Sequence, residues 1–232
     1  MRLDGEALGW LRRGYAGPGR VTRCATCADM TGGCPACRPP ATDCARLRAA
    51  GVPWEFGSVG EWPVHEQYAG ALRSALASVA AEASVLLTGP NGRGKSWVAA
   101  LVVLDRLRAG VECRWEFASL LVRRFQATYA SGATETVHGL LVALARPAVL
   151  VLDDLGAEKV TESVRADLTC LLTMRASLVT VVTSNCAVEG RRVGAEFVDG
   201  LLERYGSQFR SRLRAFELIA VDGVDLRGSS DW

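Results

Sequence analysis

The chain has 232 residues, of which 49% are hydrophobic and 22% charged, and its formal net charge is +2. This length and apolar content suit one α/β domain of about 180 residues with a small additional module, and the low net charge excludes binding to a polyanion through global charge alone. The N-terminus lacks the apolar core of a secretory signal and no apolar run is long enough to span a bilayer, so we expect a cytoplasmic protein without a membrane partner.

The sequence divides into two parts near residue 50. Residues 1–50 contain five of the eight cysteines and a short predicted helix over 3–13, whereas residues 51–232 alternate between helical and strand patterns after a linker at 51–57. The predicted helices of this second part cover 64–83, 95–108, 119–129, 136–145, 160–175 and 197–205, and its predicted strands cover 85–87, 112–117, 148–152, 178–183 and 216–221. Short apolar strands that alternate with helices predict the α/β fold class, with a parallel sheet between helices.

Four cysteines of the first part are spaced as two C-x-x-C pairs: Cys24 with Cys27, and Cys34 with Cys37. In a reducing compartment this spacing predicts a tetrahedral Zn²⁺ bound by four thiolates, so that residues 1–50 form a small zinc-binding module. An iron–sulfur cluster and a redox dithiol are the alternatives, and Cys44 is a further candidate ligand. A segment this small and poor in apolar residues depends on the metal, so we expect metal binding and folding to be coupled.

A glycine-rich octapeptide follows the first predicted strand of the second part. It fits the pattern G-x-x-x-x-G-K-[ST] and consists of Gly89, Pro90, Asn91, Gly92, Arg93, Gly94, Lys95 and Ser96. The backbone N–H groups of such a loop surround phosphate oxygens where a helix begins. The chain has 27 basic residues but only two lysines, and one of them stands where a compact ammonium must reach the β- and γ-phosphates. The octapeptide therefore predicts a nucleotide site rather than an ordinary glycine-rich turn.

Polar side chains end the next two apolar strands. Asp153 and Asp154 follow the strand at 148–152, and Asn185 follows the strand at 178–183. We expect Ser96 and Asp153 to hold Mg²⁺, Asp154 to polarise the attacking water, and Asn185 to hold that water or contact the γ-phosphate. Taken alone, these patterns also suit an Asp-Asp turn and an ordinary Asn turn, but the preceding phosphate-binding loop favours the catalytic interpretation.

Two clusters of basic residues are candidates for contacts with other molecules. Arg210, Arg212 and Arg214 precede the last strand, where an arginine that reaches a neighbouring subunit would stabilise transition-state charge, although spacing alone favours a solvated basic face. The second cluster, on the helix at 119–129, is Arg123, Arg124, Phe125 and Tyr129. Its mixture of aromatic and basic side chains suits single-stranded DNA, and the alternative is an amphipathic helix that buries the phenylalanine.

In this order, the motifs resemble those of AAA+ ATPases of the DnaC/DnaI helicase-loader and IstB-like group. The resemblance covers residues 51–228 and rests on the segments 51–56, 153–159, 182–185 and 210–213 together with the loop at 89–96. It implies an AAA+ P-loop NTPase core over 51–232 without a C-terminal helical lid. It also implies roles for single residues. Asp153 would be the Walker B acid, Asp154 would take the place of the catalytic glutamate, and Asn185 would be sensor 1. Arg212 would be the arginine finger, with Arg210 as competitor, and Arg227 would be a nucleotide-binding arginine similar to sensor 2.

The same resemblance implies a function. We expect an ATP-dependent replication protein that forms a homo-oligomer with ATP, contacts the replicative helicase through residues 1–50 and loads it onto single-stranded DNA, with slow hydrolysis that a partner or DNA stimulates. An IstB-like helper of a DNA transposase is the alternative within the group. A non-hydrolysing adaptor that uses ATP as a switch and a zinc-dependent DNA-binding regulator with an inactive P-loop are alternatives outside it.

Overall fold

The computed structural model describes residues 41–57, 66–193, 196–198 and 200–226. The four predicted zinc ligands Cys24, Cys27, Cys34 and Cys37, the predicted helix at 3–13 and Arg227 lie outside the described residues. No helix in the described part of the chain is long and apolar enough to cross a membrane.

Helices and strands alternate along the described chain as the sequence predicts. The helices are α1 (Ala41–Ala49), α2 (Trp54–Gly57), α3 (Glu66–Ala80), α4 (Lys95–Arg108), α5 (Ala118–Thr128), α6 (Val137–Ala145), α7 (Glu162–Met174) and α8 (Leu201–Leu213). The strands are β1 (Val85–Thr88), β2 (Cys113–Phe117), β3 (Val149–Asp153), β4 (Val179–Ser184), β5 (Arg191–Val193), β6 (Glu196–Val198) and β7 (Glu217–Ala220). Most of the predicted strands and helices are confirmed to within a few residues.

Five strands form one parallel sheet in the order β2-β3-β4-β1-β7, so β4 lies between β1 and β3. Side chains of successive strand residues point to opposite faces, and each face has its own core. Val149 and Val151 pack on the side of α3 and α4, whereas Leu150 and Leu152 pack on the side of α5, α7 and α8. Burial on both faces explains why β3 is an unbroken apolar run. The parallel arrangement also brings the carboxyl ends of β1, β3 and β4 to one edge.

The helix predicted at 197–205 is wrong in its limits. Residues 196–198 instead form β6, which pairs antiparallel with β5, and α8 begins at Leu201. The start of α8 is fixed by its cap, because the Glu203 carboxylate accepts hydrogen bonds from the backbone N–H groups of Gly200 and Gly190 at 3.0 and 2.8 Å. A Cβ at Gly200 would overlap the backbone of residues 189–190, so only glycine fits there.

The segment at 51–57 is more than a linker. It contains α2, whose Phe56 is buried. The Phe56 ring packs edge-on against Trp97 at a centroid distance of 5.0 Å and lies tilted against Trp115 at 5.9 Å. Trp97 follows the phosphate-binding loop directly, so α2 packs against the first turn of α4 through the Phe56–Trp97 contact. Aromatic pairs of this kind contribute about 0.5–1.5 kcal/mol beyond the area that they bury.

Helix α1 packs on the core formed by the second part of the chain. Leu47 is fully buried, Cys44 is 3% exposed, and Asp43 forms an ion pair with Arg108 of α4 at 2.8 Å. Burial raises the pKa of the Cys44 thiol, which disfavours the thiolate that a metal requires. Residues 41–50 therefore pack with the α/β part, and the predicted zinc module within residues 1–50 stays a prediction.

Candidate nucleotide-binding site

The phosphate-binding loop joins the end of β1 to the start of α4. Gly94 precedes α4 with φ 91°, and a Cβ there would lie 2.6 Å from the Tyr68 ring. Gly89 has φ 148°, and a Cβ there would overlap the Val221 carbonyl oxygen. Both positions therefore require glycine for conformation as well as for space. The loop ends at the N-terminus of the 14-residue helix α4, so the first backbone N–H groups of this helix lie next to the loop. This arrangement binds phosphate.

The Lys95 side chain lies along this loop. Its ammonium donates hydrogen bonds to the carbonyl oxygens of Gly89 and Pro90 at 2.8 and 2.7 Å, and the residue is only 6% exposed. A buried ammonium held against the first two residues of a phosphate-binding loop is positioned to neutralise the charge of a bound polyphosphate. Lys95 therefore lies within the loop, and its contact with the β- and γ-phosphates stays a prediction.

A buried carboxylate faces the start of α4. Asp153, at the end of β3, is 3% exposed and accepts hydrogen bonds from the Ser96 hydroxyl at 2.8 Å and from the Thr183 hydroxyl at 2.6 Å. Burial raises the pKa of Asp153, and the hydrogen bonds from Thr183 and Ser96 oppose this shift. Hydroxyl and carboxylate oxygens are donors that suit Mg²⁺, so Ser96 and Asp153 fit the predicted magnesium site. When bound, the ion neutralises charge on the β- and γ-phosphates.

Asp154 lies beside Asn185 at the same edge of the sheet. Its φ of 59° is in the left-handed region, its backbone N–H donates to the Thr183 hydroxyl at 2.9 Å, and its carboxylate accepts a hydrogen bond from the Asn185 side-chain amide. The structure therefore brings together Asp154, which is predicted to polarise the attacking water, and Asn185, which is predicted to hold that water or contact the γ-phosphate. Thr183 was missed by the sequence analysis, although its hydroxyl donates to the Asp153 carboxylate and accepts a hydrogen bond from the Asp154 backbone N–H. The only signal was a polar residue near the end of an apolar strand.

The segment after β7 contacts the phosphate-binding loop, and the sequence analysis did not predict this contact. Its backbone continues beside β1, with the Val221 N–H donating to Thr88 at 2.7 Å, and the Leu226 N–H donates to the Gly92 carbonyl at 2.9 Å. The Gln67 side-chain amide of α3 pairs with both backbone groups of Val224, at 3.0 and 3.1 Å. Residues 221–226 are thus hydrogen-bonded both to α3 and to the phosphate-binding loop.

The two candidate arginine fingers differ in their surroundings. Arg210 is half-buried and forms an ion pair with Glu189 at 3.4 Å. Arg212 is exposed on α8, and no hydrogen bond or ion pair engages its side chain among the residues that the structure describes. Arg212 is therefore the one available to a neighbouring molecule, whereas Arg210 is partly engaged within its own chain.

The predicted DNA-binding stretch on α5 is only partly at the surface. Phe125 is fully buried, as the alternative interpretation predicts, so it cannot stack on a base. Arg124 forms ion pairs with Glu116 at 3.0 Å and with Glu135 at 2.9 Å. Arg123 and Tyr129 are exposed, and the Tyr129 hydroxyl hydrogen-bonds to Asp167 of α7. Of this stretch, only Arg123 and Tyr129 are therefore available for a contact with DNA.

The profile of the family described as IstB-like ATP binding protein matches residues 66–203. The chain belongs to this family. The match includes the loop at 89–96, both aspartates and Asn185, so the predicted family group and its ATP-binding fold are confirmed. No curated protein sequence matches the chain.

Several solved structures are similar in fold to this IstB-like protein. The chain is similar to DnaI, with 21% identity and a TM-score of 0.52 over 70% of this chain and 86% of DnaI. It is similar to the DnaC helicase loader, with 20% identity and a TM-score of 0.51 over 69% of this chain and 93% of DnaC. It is also similar to AMPPCP-bound DnaA from Aquifex aeolicus, with 13% identity and a TM-score of 0.55 over 71% of this chain and 50% of DnaA. These similarities confirm the predicted AAA+ fold class.

The Asp154–Asn185 contact leads to a first prediction. Replacing Asp154 by alanine removes the carboxylate that would polarise water, so we expect ATP hydrolysis to fall by about 100-fold or more while ATP binding changes little. Steady-state phosphate release and equilibrium binding of a fluorescent ATP analogue measure the two effects. Glu162→Gln, which changes an exposed carboxylate at the start of α7, is the control and should leave both unchanged. An Asp154→Ala protein with normal hydrolysis would remove this carboxylate from the chemistry.

Proposed function

We propose that this IstB-like protein is an ATPase that loads the replicative helicase onto single-stranded DNA in the cytoplasm. The observation that carries the proposal is the similarity of the fold to DnaI and to the protein described as the DnaC helicase loader, of whose solved chains 86% and 93% are matched.

The nucleotide site supports hydrolysis as well as binding. Lys95 and the backbone of its loop would hold the phosphates, and Ser96 with Asp153 would hold Mg²⁺. Asp154 would polarise the attacking water that Asn185 helps to hold. Arg212 of a neighbouring copy would complete the site, so the active form is an ATP-dependent homo-oligomer.

Contacts with partners remain part of the same proposal. Residues 1–40 precede α1, and we assign the zinc-binding module and the helicase contact to them, with Cys24, Cys27, Cys34 and Cys37 as ligands. The exposed residues Arg123 and Tyr129 of α5 are the candidate contacts with single-stranded DNA. A truncation that tests this assignment should end before Ala41, because α1 is packed against α4.

A second candidate function is an ATPase that assists a DNA transposase. The observation in its favour is the match to the family described as IstB-like ATP binding protein, which covers the loop at 89–96, Asp153, Asp154 and Asn185. This function would use the same ATPase core on duplex target DNA, with no helicase contact. It differs from the first candidate in its partner and in the form of DNA that it binds.

Co-elution with the host replicative helicase separates the two candidates. We expect the full-length protein and the helicase to elute together from a gel-filtration column in an ATP-dependent complex, and a Cys24→Ser/Cys27→Ser protein to lose this complex. Cys170→Ser, which changes an exposed cysteine of α7, is the matched control and should retain it. Absence of the complex together with ATP-dependent binding to duplex DNA would reject the loader and favour the transposase helper.

A further inference from the structure

Helix α8 consists of two halves joined at Gly206. This glycine has φ 82° and ψ 177°, so the helical backbone is interrupted between Tyr205 and Ser207. The first half, Leu201–Tyr205, lies against the loop that follows Asp154, and the second half carries Arg212. The bend allows the two halves to take different directions, which a continuous helix would not.

The first half of α8 holds the loop after Asp154 at two points. The Arg204 guanidinium donates a hydrogen bond to the Gly156 carbonyl oxygen at 2.8 Å, and the Tyr205 hydroxyl donates to the Glu158 carboxylate. The same carboxylate accepts the Gly156 N–H at 3.2 Å, which closes the loop on itself. Tyr205 is 1% exposed, and burial raises its pKa, so the hydroxyl keeps the proton that it donates. Two successive residues of α8 are therefore joined to a loop that begins at a catalytic carboxylate.

The other side of this loop is held by the end of β4. The Ser184 hydroxyl donates to the Leu155 carbonyl oxygen at 2.6 Å, and a Cβ at Gly156 would lie 2.7 Å from the Cys186 sulfur. Asn185, which contacts Asp154, lies between these two residues. A Cβ at Gly156 would also lie 3.0 Å from the Leu201 side chain of α8, so the loop is packed closely between the end of β4 and α8, and a shift of Asp154 or Asn185 would change the contacts between the loop and α8.

The second half of α8 is in contact with the first across the bend. The Phe209 ring is fully buried and stacks on the Tyr205 ring, with a centroid distance of 4.5 Å and an interplanar angle of 27°. The Arg165 side chain of α7 lies beside Gly206, with its Cδ 3.4 Å from the position that a Cβ would take. Tyr205 and Phe209 are thus in direct contact, and Phe209 lies three residues before Arg212.

We propose that Arg204 and Tyr205 are positioning residues that set the placement of Arg212 according to the nucleotide bound in the same chain. This proposal rests on the proposed function, since it gives a regulation to the arginine that completes the site of a neighbouring copy. A chain with ATP bound would hold its loop, its Tyr205 and its Arg212 in one arrangement, and a chain without ATP would hold them in another. Each copy would then offer its arginine only when its own site is filled.

Amide hydrogen exchange of the full-length protein, with and without ATP, tests the coupling. In the native chain we expect ATP to slow exchange over 89–96 and also over 207–213, the latter by about fivefold or more, which is the lower end of usual coupling factors. In Tyr205→Phe and in Arg204→Gln, the ATP effect over 207–213 should be lost while the effect over 89–96 remains. Arg214→Gln, an exposed change on the same helix, is the control and should behave as the native chain does.

The comparison with and without ATP separates coupling from structural support. A residue that only stabilises α8 would change exchange over 207–213 equally in both conditions, and this result would overturn the proposal. Native protection over 89–96 without any change over 207–213 would overturn it as well, and would leave the proposed ATPase intact. Absence of ATP protection over 89–96 in the native chain would contradict the proposed function itself, and the coupling with it.

Discussion

Replacing Arg212 by alanine is expected to lower ATP hydrolysis by the assembled protein by about 1,000-fold while leaving ATP binding nearly unchanged. The size follows from arginine fingers in other phosphoryl-transfer enzymes, which contribute about 10³–10⁵ in rate by stabilising charge that develops in the transition state. Arg212 is suited to this role because it is exposed on α8 and has no ion-pair partner in the described part of the chain. Arg210→Ala should have a smaller effect, because that side chain is already paired with Glu189.

Mixed assemblies determine whether the arginine acts on a neighbouring copy. Neither Arg212→Ala nor Lys95→Ala protein should hydrolyse ATP alone, since the first lacks the arginine and the second lacks the phosphate-binding ammonium. Mixing them should restore activity, because Lys95→Ala chains still offer Arg212 to the intact sites of the other chains. Arg214→Ala mixed with Lys95→Ala is the control, in which both partners keep Arg212. If mixing restores no activity, or if Arg212→Ala hydrolyses ATP normally, the arginine does not complete a neighbouring site.

The sequence predicted those parts of the site that depend on local pattern. The loop at 89–96 has a fixed spacing, and Asp153 stands at the end of an apolar strand that had to be buried on both faces. Once β1, β3 and β4 were expected to be parallel, their carboxyl ends had to meet at one edge, which brought Asp154 and Asn185 together. These predictions needed only local periodicity and the rules of parallel sheets.

The parts that the sequence did not predict depend on contacts between distant segments. Thr183 matters because its hydroxyl bridges the Asp153 carboxylate and the Asp154 backbone N–H, 30 and 29 residues earlier in the chain. Gln67 and Val224 are 157 residues apart, and no local pattern indicates that they pair. The start of α8 was misplaced because the apolar residues of β6 extend the helical pattern backwards. Only the cap at Gly200 and the lack of space for a side chain there place it correctly.

The same limitation applies to Arg175, which the sequence analysis took only as the end of a helix. Its guanidinium is 2% exposed and has no carboxylate partner in the described residues. Its acceptors are the carbonyl oxygens of Leu144 at 2.9 Å, Ala145 at 3.4 Å, Pro147 at 2.8 Å, Ala148 at 3.5 Å and Val179 at 2.5 Å, together with the Thr180 hydroxyl at 3.0 Å. It thus satisfies the end of α6 and the chain that enters β3 and β4. Burial lowers its pKa to about 10, so it remains protonated at neutral pH.

Arg175→Met is therefore expected to destabilise the protein by about 4 kcal/mol, because each buried polar group left without a partner costs about 1–3 kcal/mol. The midpoint of urea unfolding, followed by far-UV circular dichroism, measures this loss. Arg146→Met is the matched control, since its side chain is 79% exposed and its removal should change stability by less than about 0.5 kcal/mol.

Arg175→Lys should fall between the two, because one ammonium has three donors and cannot reach carbonyl groups at the ends of α6, β3 and β4 together. A loss below about 1 kcal/mol for Arg175→Met would mean that water or backbone adjustment satisfies these carbonyl groups, and that the guanidinium does not hold the strands in place.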